Sequence, residues 1–171
     1  MVKTLLSIES ALFKFFVWIV YVIYTVIIIT TFISVFFRYI LNDSLVWAEE
    51  LGRYLFIWLT FIGSAIALKD GLHIGLDLLS NSLPPKLKNL LEGFITCLIS
   101  VFLVFTINAS ITVIEVAMRQ RSSALEIPMG LVFLAIPTGC SLMLLTSCRR
   151  LFQLFGSNSK NEVTHVSQPS H

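Results

Sequence analysis

The run Phe15-Phe-Val-Trp-Ile-Val-Tyr-Val-Ile-Tyr-Thr-Val-Ile-Ile-Ile-Thr-Thr-Phe-Ile-Ser-Val-Phe-Phe37 decides the fold class of this chain. It holds 23 residues without a charge. As a helix it measures about 35 Å, against a hydrocarbon core of about 30 Å. Three further stretches repeat the pattern: Tyr54 to Leu68, Gly93 to Ile114 and Ile127 to Cys148. The second is short, but Leu45, Val46, Trp47 and Leu51 extend it across a charged first turn. Free backbone groups find no partner in lipid, so each stretch must be helical. The spans are therefore expected at 15–37, 45–68, 90–114 and 127–148.

Composition agrees. The 171 residues are 56% hydrophobic and 13% charged, where soluble domains carry about 45–50% and about 25%. A soluble fold of this size would leave a large apolar surface in water. The expectation is an all-α membrane protein with one domain over residues 15–150, packed as a four-helix bundle. Lys3 and Lys14 precede the first apolar run in the manner of a signal peptide. That run exceeds an h-region of about 7–15 residues, and no small-x-small site follows, so it reads as a retained helix.

Charge sets the orientation. Of the 12 Lys and Arg residues, eight (Lys3, Lys14, Lys69, Lys86, Lys88, Arg149, Arg150, Lys160) flank the spans on one side. Arg38, Arg53, Arg119 and Arg121 flank them on the other. The lysine-rich side is expected to be cytoplasmic, with both termini on it. Residues 1–14 and the middle loop mix Leu and Ile with polar residues and read as short interfacial amphipathic helices. In the middle loop, Leu72, Ile74, Leu76, Leu78, Leu79 and Leu83 alternate with Asp70, His73, Asp77, Asn81 and Ser82. Pro84 ends that segment, and Pro85 suits the first turn of the third span. Residues 156–171 are Ser/Asn-rich and aperiodic, and are expected to be disordered.

Chemistry is scarce. The first and fourth spans carry no ionisable side chain other than Cys140, Cys148 and two tyrosines, and no span holds a histidine. A bis-histidine haem site cannot be built within the chain. There is no metalloprotease, phosphate-loop or triad pattern, and no basic run suited to nucleic acid. Cys97, Cys140 and Cys148 read as small packing residues. No catalytic residue, bound cofactor or metal is expected, and the chain does not read as an enzyme.

Three features stand out. The second span begins Trp47-Ala-Glu49-Glu50-Leu-Gly-Arg53-Tyr54. Helical spacing lets both acids reach Arg53, while Trp47 and Tyr54 suit the headgroup level. This segment reads either as an ordinary interfacial cap or as a polar docking point, with Arg38 and Asp43 nearby. In the third span Asn108 and Glu115 share a face. Asn108 calls for an interhelical hydrogen bond, and Glu115 can pair with Arg119. Finally, Gly63-Ser-Ala-Ile-Ala67 permits close helix approach. Pro137, followed by Gly139, points to a kink in the fourth span.

One ordered set of residues is specific. It runs Phe37-Arg38-Tyr39, Asn42, Ser44-Leu45, Trp47-Ala48-Glu49-Glu50-Leu51, Arg53-Tyr54, Trp58, Gly63, Gly71, His73-Ile74 and Asp77. Later come Ala124-Leu125-Glu126-Ile127-Pro128, Ile136-Pro137 and Gly139. In this set, over most of residues 15–150, the chain resembles the DctQ-type small permease subunits of tripartite ATP-independent periplasmic (TRAP) transporters. Ser64 departs from the small apolar residue usual there. The resemblance implies a bacterial inner-membrane, multi-pass subunit that scaffolds a separate large membrane subunit. That partner would carry the substrate and Na⁺ sites and move as an elevator. A periplasmic binding protein would deliver an organic acid such as a C4-dicarboxylate or sialic acid. It implies docking or anchoring roles for Arg38, Trp47, Glu49, Glu50, Arg53, His73 and Asp77.

The residues leave rivals open. A self-contained four-helix transporter needs a deep acidic group, which here could only be Glu115. A redox anchor subunit would need haem or quinone contacts, and a purely structural four-span protein would need neither.

Overall fold

The computed structural model describes residues 2–70 and 85–165. Its helices are α1 (Val2–Ile40), α2 (Val46–Lys69), α3 (Pro85–Ala117), α4 (Met129–Phe133) and α5 (Ala135–His165). Four stretches are long and apolar enough to cross a membrane: Ser10–Ile40, Val46–Lys69, Leu90–Ala117 and Met129–Leu151. The expected spans fall inside or within two residues of these.

The helices do not close into the expected bundle. They stand in a row, with α1 against α2, α2 against α5, and α5 against α3. The fourth span is the centre of that row: 33% of its most apolar window is buried, against 6% for the first. Ile62 and Ala65 of α2, Leu103 of α3, and Ala135, Cys140 and Leu142 of α5 form the core. A row leaves two helices with one neighbour each. Their apolar faces therefore stay open to lipid or protein, and residues such as Phe32 and Phe105 are 72% exposed.

Several hydroxyl groups within the spans are satisfied locally. Thr30 Oγ1 donates to the Val26 carbonyl at 2.6 Å, Thr96 Oγ1 to Glu92 at 2.7 Å and Ser100 Oγ to Thr96 at 2.8 Å. Such back-bonding lets Ser and Thr sit in an apolar span without an interhelical partner.

Helix ends follow local chemistry. At the end of α1 the N–H groups of Leu41 and Asp43 both donate to the Phe37 carbonyl. Asn42 takes φ 51° there, a left-handed conformation that Asn tolerates better than most residues. Three residues before Pro137, where a kink was anticipated, Leu134 separates α4 from α5. A proline ring clashes with the carbonyl four residues before it, here that of Phe133, and supplies no N–H to it.

Two expectations change. Residues 2–14 are not a separate interfacial helix but the first turns of α1. Their Phe13 is buried, with the Lys69 ammonium 4.0 Å above its ring. The tail remains helical to His165. Its Ser, Asn, Lys and Glu residues include no breaker stronger than Gly156 before Pro169. The anticipated middle-loop helix, with His73 and Asp77, lies outside the described residues.

Candidate functional site

The first two turns of α2 carry the acids, and the turn 41–45 brings them beside the end of α1. Glu50 points inward and is 6% exposed. Its carboxylate accepts the Tyr54 hydroxyl at 2.6 Å, one turn along the same helix. Its other partners lie more than 70 residues away, on the loop between α3 and α4. Oε2 accepts the N–H groups of Ala124 at 2.8 Å and Leu125 at 3.0 Å. Oε1 accepts the N–H of Ser123 at 3.2 Å and its hydroxyl at 3.4 Å. Three consecutive amides pointing at one point form an anion-binding concavity, and Glu50 fills it with a group of this chain.

The loop is built to present those amides. Met129 N–H donates to the Gln120 carbonyl at 2.9 Å, and Ser122 N–H to Ile127 at 3.0 Å. Arg121 and Pro128 form a bridge across its base. Glu126 adopts φ 52°, which turns the chain back. Arg121 Nη1 donates to the Glu126 carbonyl at 3.0 Å, and the Leu125 N–H also donates to the buried Ser122 hydroxyl oxygen at 3.2 Å.

Glu49, one residue earlier, points the other way and forms an ion pair with Arg38 of α1. The two side chains are 45% and 50% exposed, so the pair positions α1 more than it stabilises the fold. A groove of about 450 Å³ lies between α1 and α2 here, lined in part by Thr31, Ser34, Arg38, Glu49, Arg53 and Phe56.

The acids thus serve two directions, and neither pairs with Arg53 as the spacing suggested. Arg53 is exposed, as is Trp47 at 42%. Asn108 is also redirected. Its Nδ2 donates to the Val104 carbonyl of its own helix at 2.9 Å, with no bond to another helix among the described residues. Glu115 and Arg119 are exposed and form no ion pair with each other. Gly63 is not a close-approach point, because a Cβ there meets nothing within 4 Å; Ala67 is partly buried. The close approach is at Gly139, where a Cβ would lie 2.7 Å from Phe61 Cβ and 2.8 Å from its carbonyl oxygen.

Two features had no clear sequence signal. The Ser123–Leu125 partners of Glu50 are backbone groups and carry no residue signature. At the opposite end of the row, Arg150 of α5 meets Glu92 of α3 at 3.5 Å. Nothing in their spacing links them. Among the described residues no cluster of His, Cys, Asp and Glu could hold a metal.

A row of spanning helices tied at its ends by carboxylates defines a polytopic membrane protein. The family model for the DctQ component of tripartite ATP-independent periplasmic transporters matches residues 27–156. The chain belongs to that family and is a multi-pass inner-membrane protein. It is 36% identical over 125 residues to the C4-dicarboxylate TRAP transporter small permease protein DctQ of Rhodobacter capsulatus. That alignment covers 71% of this chain and 53% of the relative, so the chain spans about half the relative's length. It is 31% identical over 124 residues to the sialic acid TRAP transporter small permease protein SiaQ of Vibrio cholerae, covering 68% of each. The isethionate TRAP transporter permease protein DctMQ of Oleidesulfovibrio alaskensis matches at 26% over 100 residues. There the coverage is 57% of this chain and 16% of the relative.

Proposed function

We propose that this chain is the small membrane subunit of a Na⁺-driven organic-acid transporter, and that it holds a large transport subunit in place. The observation that carries the reading is where the acids go. Glu50 is consumed by an internal loop, Glu49 by Arg38 and Glu92 by Arg150. Among the described residues the acid left within a span, Glu115, lies two residues before Ala117 at the span's end, so none is deep enough to couple an ion to a solute. The match to DctMQ supports a large partner, since the aligned segment is only 16% of that chain. The substrate class, C4-dicarboxylates or sialic acid, comes from the names of the DctQ and SiaQ relatives.

In this reading the substrate and Na⁺ sites belong to the large subunit, and a periplasmic binding protein delivers the solute. The small subunit catalyses no reaction and has no cofactor. Both termini are cytoplasmic, which puts the Glu50 loop on the periplasmic face. Arg38, Trp47 and Arg53 anchor that face in the headgroups, and Glu49 and Glu50 hold its frame.

Reconstitution tests this. Vesicles containing both membrane subunits, given the binding protein and an inward Na⁺ gradient, should take up a labelled organic acid. Each subunit alone should not. Uptake by this chain alone, or full uptake without it, refutes the proposal.

A further inference from the structure

We infer that the outer face of α3 is the surface that docks the large membrane subunit, through a polar track formed by Asn108, Thr112, Glu115 and Arg119. This inference rests on the subunit reading above and adds the location.

The two ends of the helix row differ. The outer face of α1 carries Trp18 and Tyr21 toward one end and Tyr39 at the other, all at least 65% exposed. Between them the face is Ile28, Ile29 and Phe32, also exposed. Its Thr25 hydroxyl is satisfied by the Tyr21 carbonyl at 2.8 Å. Aromatic belts around an apolar band are what lipid selects.

The outer face of α3 has no such belt. All three Trp and all four Tyr of the chain lie between residues 18 and 58. Asn108, Thr112 and Glu115 instead follow one another at helical spacing, Arg119 lies in the turn just after α3, and all four are exposed. They share a face with Val101 and Phe105, which are 64% and 72% exposed. Asn108 lies nine residues before Ala117, the end of the span, or about 14 Å along the axis and near mid-bilayer. Its amide has two N–H donors and a carbonyl acceptor. One donor reaches Val104; the residue is exposed, and the rest of its amide has no partner among the described residues. Lipid tails offer no partner to these groups, and a protein helix does. The occupant that fits is a membrane helix with hydrogen-bonding groups near mid-depth and a donor or cation level with Glu115.

Photo-crosslinking in the co-expressed complex tests this. Benzoylphenylalanine is placed at Phe105 on α3 or at Phe32 on α1, positions of equal exposure. A crosslink to the large subunit from position 105 and not from 32 is expected. A crosslink from 32 alone overturns the assignment while leaving the subunit reading intact. So does a crosslink from 105 to a second copy of this chain, or lipid adducts alone from both positions. Failure of the unmodified subunits to co-purify defeats the subunit reading and this inference together. As a second arm, Asn108→Leu should lower the co-purified large subunit about threefold to tenfold. The melting temperature of the isolated small subunit should stay unchanged, because the amide binds no other helix within it. Undiminished co-purification by both Asn108→Leu and Glu115→Gln would overturn the polar track.

Discussion

The carboxylate of Glu50 accepts the backbone N–H of Ala124 at 2.8 Å, across 74 positions of sequence. The same carboxylate binds Ser123, Leu125 and Tyr54. One side chain thus joins the start of the second span to the loop that starts the fourth. Removing it takes the acceptor from the part-buried amides of Ser123 and Ala124 and from the buried Tyr54 phenol, and leaves Leu125 N–H only the Ser122 hydroxyl; such groups cost more unpaired than they gain when paired.

Glu50→Ala should therefore lower the melting temperature in mild detergent more than any single change to its neighbour Glu49. Glu50→Gln keeps the shape but turns an NH₂ toward N–H donors, and should recover little. Tyr54→Phe removes one hydrogen bond and should cost about 1 kcal/mol. Thermal unfolding followed by size-exclusion chromatography ranks the three. A Glu50→Ala protein as stable as the parent would contradict the tie.

Gly139 and Gly63 make a matched pair. A methyl group at 139 would meet Phe61 backbone at under 3 Å, while one at 63 meets nothing within 4 Å. Gly139→Ala should destabilise by about 1–3 kcal/mol through overpacking. Gly63→Ala should fall within about 0.5 kcal/mol of the parent. Equal effects in the same melting assay would refute the close approach of α5 to α2.

The two interhelical ion pairs among the described residues should differ in strength. Arg38 and Glu49 are about half exposed, whereas Glu92 is only 15% exposed beside Arg150. A double-mutant cycle on Arg38 and Glu49 should give a coupling of at most about 1 kcal/mol that weakens with salt. The cycle on Glu92 and Arg150 should give a larger coupling with less salt dependence. The reverse order would show that exposure does not govern these contacts.

The turn after α1 depends on its left-handed residue. Asn42→Gly should be tolerated, because glycine adopts positive φ without strain. Asn42→Ala should cost about 1 kcal/mol. Melting curves of the two variants, compared with the parent, decide it.

Much of the architecture was legible along the chain. Spans without charge locate helices one by one, because the bilayer penalises an unpaired backbone group wherever it occurs. Pro137 announced a break, since its ring acts on its own helix within one turn. The spacing of Glu49, Glu50 and Arg53 was also visible, but it suggested the wrong pairings. Spacing reports which side chains share a helical face, and says nothing of a neighbouring helix or a distant loop.

The sequence by itself determined that four helices cross lipid and which apolar stretches they use, because that choice is a contest between each segment and its solvent. Only the tertiary structure decided the order α1, α2, α5, α3, the turn of Glu50 toward Ser123–Leu125, and Gly139 rather than Gly63 as the point of contact. These depend on which surfaces meet. Helices equally apolar on most sides carry little preference for one neighbour over another until the short-range fit of small residues and the satisfaction of a few polar groups select it.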